Sequence, residues 1–91
     1  LGIVANAMIV WRVRPEQVET VGEIFASAQE VTHCYERAAT PDWPYNIYTM
    51  VHSRSREECL KIAHQLSQAS RIEDFRILFS EKEYKKTSAR I

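Results

Sequence analysis

Histidine, tyrosine and arginine stand two apart in the stretch Val31-Thr32-His33-Cys34-Tyr35-Glu36-Arg37. In an extended chain, strict alternation places Val31, His33, Tyr35 and Arg37 on one face. An imidazole, a phenol and a guanidinium in line make a poor core. They make a sensible lining for an anionic aromatic ligand. The guanidinium pairs with carboxylates, the phenol donates a hydrogen bond, and the imidazole exchanges protons near neutrality. His52 lies on the segment expected to pair with this one. It stands opposite His33 only if the paired residue numbers sum to an odd number, and a one-residue slip sends it to the other face.

Each of these residues also has a plainer role. A lone strand histidine is commonly just hydrogen-bonded, and Trp43 and Tyr45, beside prolines, suit a loop packing down on its domain. Tyr48 reads as packing and His64 as a solvated helix residue. Lys82, Lys85 and Lys86 form a local basic cluster that a solvated tail would also explain. There is no nucleophile triad, phosphate loop or zinc-ligand spacing. Cys34 and Cys59 are far apart and match no metal motif, so both are expected to be small buried thiols in a reducing compartment, with the cytoplasm as the default.

The 91 residues suffice for one domain with one modest core. Lysine plus arginine and aspartate plus glutamate number twelve each, so no global basic field draws the chain to nucleic acid. No apolar run approaches the roughly 20 residues that cross a bilayer, and no secretory signal opens the chain. Because the sequence starts at Leu1 and enters a strand pattern at once, it is expected to be a fragment or a trimmed chain.

The elements that must position these side chains follow from periodicity. Residues 3–13 are β-branched and aromatic and predict a strand. Pro15 suits a first helical turn, and Val18, Val21, Phe25 and Ala28 recur at helical steps, predicting a helix over 15–28. A second strand is expected over 30–38, broken by Thr40-Pro41-Asp42-Trp43-Pro44, and a third over 45–53. Ser55 and Glu58 predict a capping box, opening a helix over 56–69 with Ile62, Ala63, Leu66 and Ala69 as its apolar stripe. Phe75, Ile77 and Phe79, alternating with Arg76 and Leu78, predict a fourth strand over 74–80. The order βαββαβ implies an α+β, ferredoxin-like fold: a four-stranded antiparallel sheet with two helices on one face. Its other face must meet solvent, a ligand or a second subunit.

Taken together, several pieces resemble the siroheme decarboxylase family. They are Ala5-Asn6-Ala7-Met8 leading to Trp11, His33-Cys34-Tyr35 with Arg37, Asp42-Trp43-Pro44-Tyr45-Asn46 leading to Met50 and His52, and Leu78-Phe79-Ser80 followed by Lys85-Lys86-Thr87. The resemblance covers nearly the whole chain. It implies one Lrp/AsnC-type ligand-binding domain over residues 1–91, of a kind usually preceded by a helix-turn-helix, which this sequence lacks. It also implies loss of carbon dioxide from two acetate side chains of siroheme, giving didecarboxysiroheme on a route to haem or haem d1. The expected partners are siroheme and a homologous subunit, as a homo- or heterodimer, with no membrane and no nucleic acid bound by this domain. No cofactor or metal is expected beyond the iron tetrapyrrole substrate itself.

Within that resemblance His33 is the expected proton donor, His52 the second candidate, and Tyr35 a residue that orients the imidazole or the ring. Arg37, Lys85 and Lys86 would hold carboxylates, and Trp43, Tyr45 and Asn46 are further expected substrate contacts. Two other readings use the same residues. One is a non-catalytic effector-binding domain of an Lrp/AsnC-type transcriptional regulator, and the other is a stand-alone dimerisation domain.

Overall fold

The computed structural model describes residues 5–80. Residues 1–4 and 81–91, with Lys82, Lys85 and Lys86, lie outside the described residues. The chain forms strand β1 (Ala5–Trp11), helix α1 (Val18–Ala26), strands β2 (Val31–Glu36) and β3 (Ile47–Ser53), helix α2 (Arg56–Ser70) and strand β4 (Phe75–Ser80). The strands make one antiparallel sheet in the order β2-β3-β1-β4. This is the expected ferredoxin-like arrangement, with β2 and β4 at the edges.

Helix α1 is shorter than the periodicity predicts at both ends. Pro15–Gln17 forms a single 3-10 turn ahead of it, with the proline where no amide donor is needed. Beyond Ala26 the Ala28 amide donates to the Phe25 carbonyl and the Val31 amide to the Ala28 carbonyl, turning the chain into β2. Helix α2 starts as expected, with the Ser55 hydroxyl accepting from the Glu58 amide at 3.1 Å. The Glu58 carboxylate closes the cap on the Arg54 amide at 2.6 Å, one residue ahead of the usual partner. Arg71, at φ 63, ends the helix in the left-handed region.

The core lies between the helices and one sheet face. Ile9, Trp11, Ile47 and Val51 from the central strands meet Val21 and Phe25 of α1 and Ile62, Ala63 and Leu66 of α2. The buried stripe of α2 runs through Cys59, Ile62, Ala63, Leu66 and Ser70. Ala69, expected in that stripe, is exposed: it lies about 100° round the helix from Ser70, at the margin of the buried stripe.

Trp11 is fully buried, its ring 4.5 Å from Phe25 and 4.9 Å from Phe75. Its indole N–H donates to Thr49 Oγ1 at 3.0 Å, and that hydroxyl in turn donates to the Ile9 carbonyl at 3.0 Å. The one polar atom of a large core side chain is therefore satisfied across β1 and β3. Replacing Thr49 with valine keeps the shape and orphans the indole N–H. The substitution is expected to cost about 1–3 kcal/mol in urea unfolding, and a change within error would mean the bond contributes nothing.

Both cysteines are free, Cys59 buried in α2 and Cys34 half-buried in β2 with its thiol 3.9 Å from the Gly22 carbonyl. Burial pushes each thiol above the ordinary value of 9.0, and a hydrogen bond with the Ser53 side chain partly offsets this for Cys59. The folded state therefore resists ionising thiols that the unfolded chain ionises first. Their stabilising contribution is complete below pH 9.0 and is lost as pH rises through the folded values. The urea midpoint is expected to fall on going from about pH 8 to about pH 10, and to fall less in Cys34→Ala. An equal decline in both proteins would remove the thiol from the explanation.

Candidate functional site

One irregularity decides which side chains of β2 face away from the helices. Val31 pairs with Val51, but His33 pairs with Met50, so two residues of β2 span a single step of β3 and Thr32 is the extra one. This is a β-bulge, held by the Thr32 hydroxyl donating to the Met50 carbonyl at 3.2 Å. Strict alternation placed Val31 with His33. The bulge separates them, turning Val31 to the core while His33 and Tyr35 take the open face. Cys34, between them, packs against the core edge.

The same register settles the position of His52. From His33 onward, paired residues of β2 and β3 sum to an odd number, so His33 and His52 do share the open face. They are not directly opposed: His33 stands across from Met50, and His52 pairs with Asn6 of β1. Such a diagonal relation in an antiparallel pair corresponds to about 7–8 Å. Both imidazoles are exposed, and His33 Nδ1 lies 3.3 Å from Thr32 Oγ1.

Cross-sheet rows describe the rest of the face. One row reads Tyr35, Tyr48, Val10, Arg76, and the next His33, Met50, Met8, Leu78. The second row is a flexible apolar floor with a histidine at one end. Leu78 is 37% exposed, one of the few large hydrophobic residues so open. Above it, Tyr35 and Tyr48 stack at 5.4 Å and 15°. The Arg37 guanidinium lies 5.5 Å from the Tyr35 ring and 5.8 Å from that of Tyr48.

The connection between β2 and β3 folds back over the upper end of this face. Thr40 and Trp43 bridge around a Pro41-Asp42 turn, with the Trp43 amide donating to the Thr40 carbonyl at 3.1 Å. Trp43 then donates its indole N–H to Tyr48 Oη at 2.7 Å and meets Tyr45 edge-on at 5.0 Å. Val10 is 0% exposed although it belongs to the open face; its row neighbours Tyr48 and Arg76 both contact Trp43. Trp43 and Tyr45 are thus wall as well as candidate contacts.

Asn46 has a structural task. Its carboxamide accepts from the Val13 amide at 2.9 Å and donates to the Val13 carbonyl at 2.8 Å, mimicking a strand beyond the end of β1. Its backbone receives the Arg37 amide and donates to the Trp11 carbonyl. The residue expected to touch substrate holds the loop in register, and both ends of its side chain are occupied.

Tyr48, Met50, Met8 and Arg76 also belong to this surface, although the sequence marks none of them as a site residue. The alternation of β4 already turned Arg76 away from the core. Its place beside the loop aromatics depends on strand order, which local pattern does not carry. Among the described residues, no carboxylate lies within ion-pair distance of Arg37 or Arg76; the ion pair described is Arg12 with Asp74 at 3.7 Å, at the edge. No group of three His, Cys, Asp or Glu among the described residues is arranged to hold a metal, and no described helix is long and apolar enough to cross a membrane.

The face is a shelf. A hollow of about 690 Å³ lies behind the loop, lined by Arg12, Arg14, Thr40, Pro41 and Pro44 among others. Another of about 480 Å³ lies between α1 and β2, with Glu19, Glu23 and Glu36 on its rim. Neither reaches His33. Its imidazole is nevertheless open to whatever covers the sheet and is not sealed beneath the helices.

Comparison with known proteins bears on that surface. Over its full length the chain is 57% identical to a siroheme decarboxylase beta subunit from Methanosarcina barkeri, of which it spans 60%. It is 43% identical over 84 residues, 91% of the chain, to the beta subunit from Desulfovibrio desulfuricans, of which it spans 53%. The crystal structure of the siroheme decarboxylase NirDL in complex with an iron-uroporphyrin III analogue superposes with a TM-score of 0.81 at 36% identity, covering 90% of this chain and 27% of that one. The chain therefore spans little more than half the length of the curated relatives it matches. Residues 1–85 match the AsnC-like ligand binding domain, and the chain belongs to that family.

Proposed function

We propose that this domain is the substrate-seating part of a siroheme decarboxylase subunit, with the macrocycle lying on the open sheet face. The observation that carries the reading is the bulge at Thr32, which brings an exposed imidazole to one surface with an apolar floor and a guanidinium that has no acidic partner among the described residues. Near-neighbour sequences named as siroheme decarboxylase subunits support it. Met8, Met50 and Leu78 offer soft contact to a flat ring, and Tyr35 with Tyr48 lines its edge.

The reaction breaks the bond between an acetate methylene and its carboxylate. Carbon dioxide leaves, and the electron pair stays on the methylene carbon, where the conjugated macrocycle absorbs it. A proton must then reach that carbon to give the methyl group. His33 supplies it as imidazolium and is recharged from solvent, to which it is open; His52 is the second candidate. Tyr35 orients the ring, and Arg37 holds a carboxylate that does not react. Lys85 and Lys86 remain candidates for the same task. The iron and the conjugated ring of the substrate do the electronic work, so no further cofactor is invoked. A homologous subunit closes the shelf from above, and the free thiols suit a reducing, cytoplasmic setting.

The test uses the full-length protein with its partner subunit under anaerobic conditions, following the pigment by mass. His33→Ala is expected to slow turnover by about 100-fold or more while siroheme still binds. Arg37→Ala is expected to weaken binding about 10- to 100-fold and to change the bound-state rate much less. Unchanged turnover in His33→Ala would take the proton-donor role from it. A wild-type complex that shifts the siroheme spectrum without loss of mass would instead assign a non-catalytic effector domain.

A further inference from the structure

The phenol of Tyr48 is locked in one hydrogen-bonding direction. Its oxygen receives the Trp43 indole N–H at 2.7 Å, and an indole nitrogen only donates. The phenolic hydrogen is therefore left to donate elsewhere, and no acceptor for it stands among the described residues. On one side of this phenol Arg37 leans on the Tyr35 and Tyr48 rings. On the other, Arg76 sits 5.6 Å from the rings of both Trp43 and Tyr45.

A guanidinium laid on an aromatic ring keeps its in-plane N–H groups free, so the ring sets its plane and its edge remains available for a carboxylate. Both guanidinia lack an acidic partner among the described residues, and both are exposed. They project from the two edge strands. Arg76 shares its row with Tyr35 and Tyr48 and lies three strand spacings from Tyr35, about 14 Å. Two guanidinia rising from opposite edges of the sheet, with a committed donor between them, read the placement of carboxylates as well as their charge.

We infer that Tyr48 and Arg76 are specificity-determining residues, which with Arg37 grip the carboxylates along one edge of a planar polyanion. The inference rests on the open face being the macrocycle's seat. It adds two residues from strands β3 and β4 and a basis for choosing among tetrapyrroles. An edge with two carboxylates on each pyrrole can reach all three donors, whereas an edge with one propionate per pyrrole satisfies only part of the set.

The experiment titrates the full-length complex, without oxygen, with two iron porphyrins as probes, one bearing eight carboxylates and one bearing four propionates. Absorbance reports the Kd. Arg76→Gln is expected to raise the Kd of the eight-carboxylate porphyrin about tenfold or more and that of the four-carboxylate porphyrin less than about threefold. Arg76→Lys keeps the charge but not the planar fork and is expected to restore less than half of the lost discrimination; full restoration would overturn the geometric claim. Tyr48→Phe preserves the ring stack and is expected to weaken the eight-carboxylate probe selectively, with thermal melting confirming that the variant folds. Variants that bind both probes as wild type does, in a complex that still decarboxylates siroheme, would overturn this inference and leave the proposed function standing. Loss of discrimination in Arg76→Gln, in a wild-type complex that releases no carbon dioxide, would support the inference and sink the decarboxylase reading.

Discussion

The open face depends on one extra residue. If β2 paired with β3 without Thr32 as an insertion, Val31 and His33 would share a side, and the strand would have to expose valine or bury histidine. The bulge removes the conflict by turning the chain once between them. Below it, Val31 joins the core edge. Above it, Cys34 faces the helices while His33 and Tyr35 face out. A bulge also sharpens local twist, and edge strands are where sheets tolerate one. The functional polarity of the hairpin therefore comes from backbone register and needs no unusual side chain.

The two tryptophans show how the same residue type is divided between stability and site. Trp11 is sealed, its N–H closed onto Thr49 within the sheet. Trp43 sits on a loop with its N–H turned to a phenol on the open face. What makes the loop dependable is Asn46, whose carboxamide pairs in both directions with Val13. A ten-residue connection between strands would otherwise hold Trp43 and Tyr45 loosely. Stitched at Asn46 and turned at Pro41-Asp42, it presents them as a fixed wall. The Asn46 side chain can thus decide how well the site is formed.

The elements were legible in the sequence because each has a local cause. The αα and ββ periodicities, Pro15 ahead of the first helix and the Ser55 cap all act within a few residues, and every strand and helix falls within a few residues of its expected bounds. The open face was half legible. Alternation grouped His33, Tyr35 and Arg37, and it placed Arg76 outward on β4. It misassigned Val31, because an inserted residue leaves no mark in composition. It left His52 undecided, because register is a property of two strands. Tyr48 looked like packing, and it does pack, against Tyr35. Its second role appears only once the loop has carried Trp43 to it.

Charge illustrates the same limit from another side. Twelve basic and twelve acidic residues balance over the chain, and that balance argues against a global field. It does not describe the surface. Glu36 stands between Tyr35 and Arg37 in sequence yet borders the hollow against α1, where Glu19 and Glu23 also sit. The rows from Asn6 to Arg76 carry one guanidinium and two imidazoles without a carboxylate among them, and Arg37 adjoins them beside Tyr35. A strand reverses its side at each residue, so neutral sequence becomes a cationic shelf on one side of the sheet and an acidic groove on the other. Arg37 and Arg76 have no acidic partner among the described residues, and both are open to solvent at opposite edges of this face. An anion with several carboxylates can pair with both guanidinia at once, so each further pair forms on an anion already held in place.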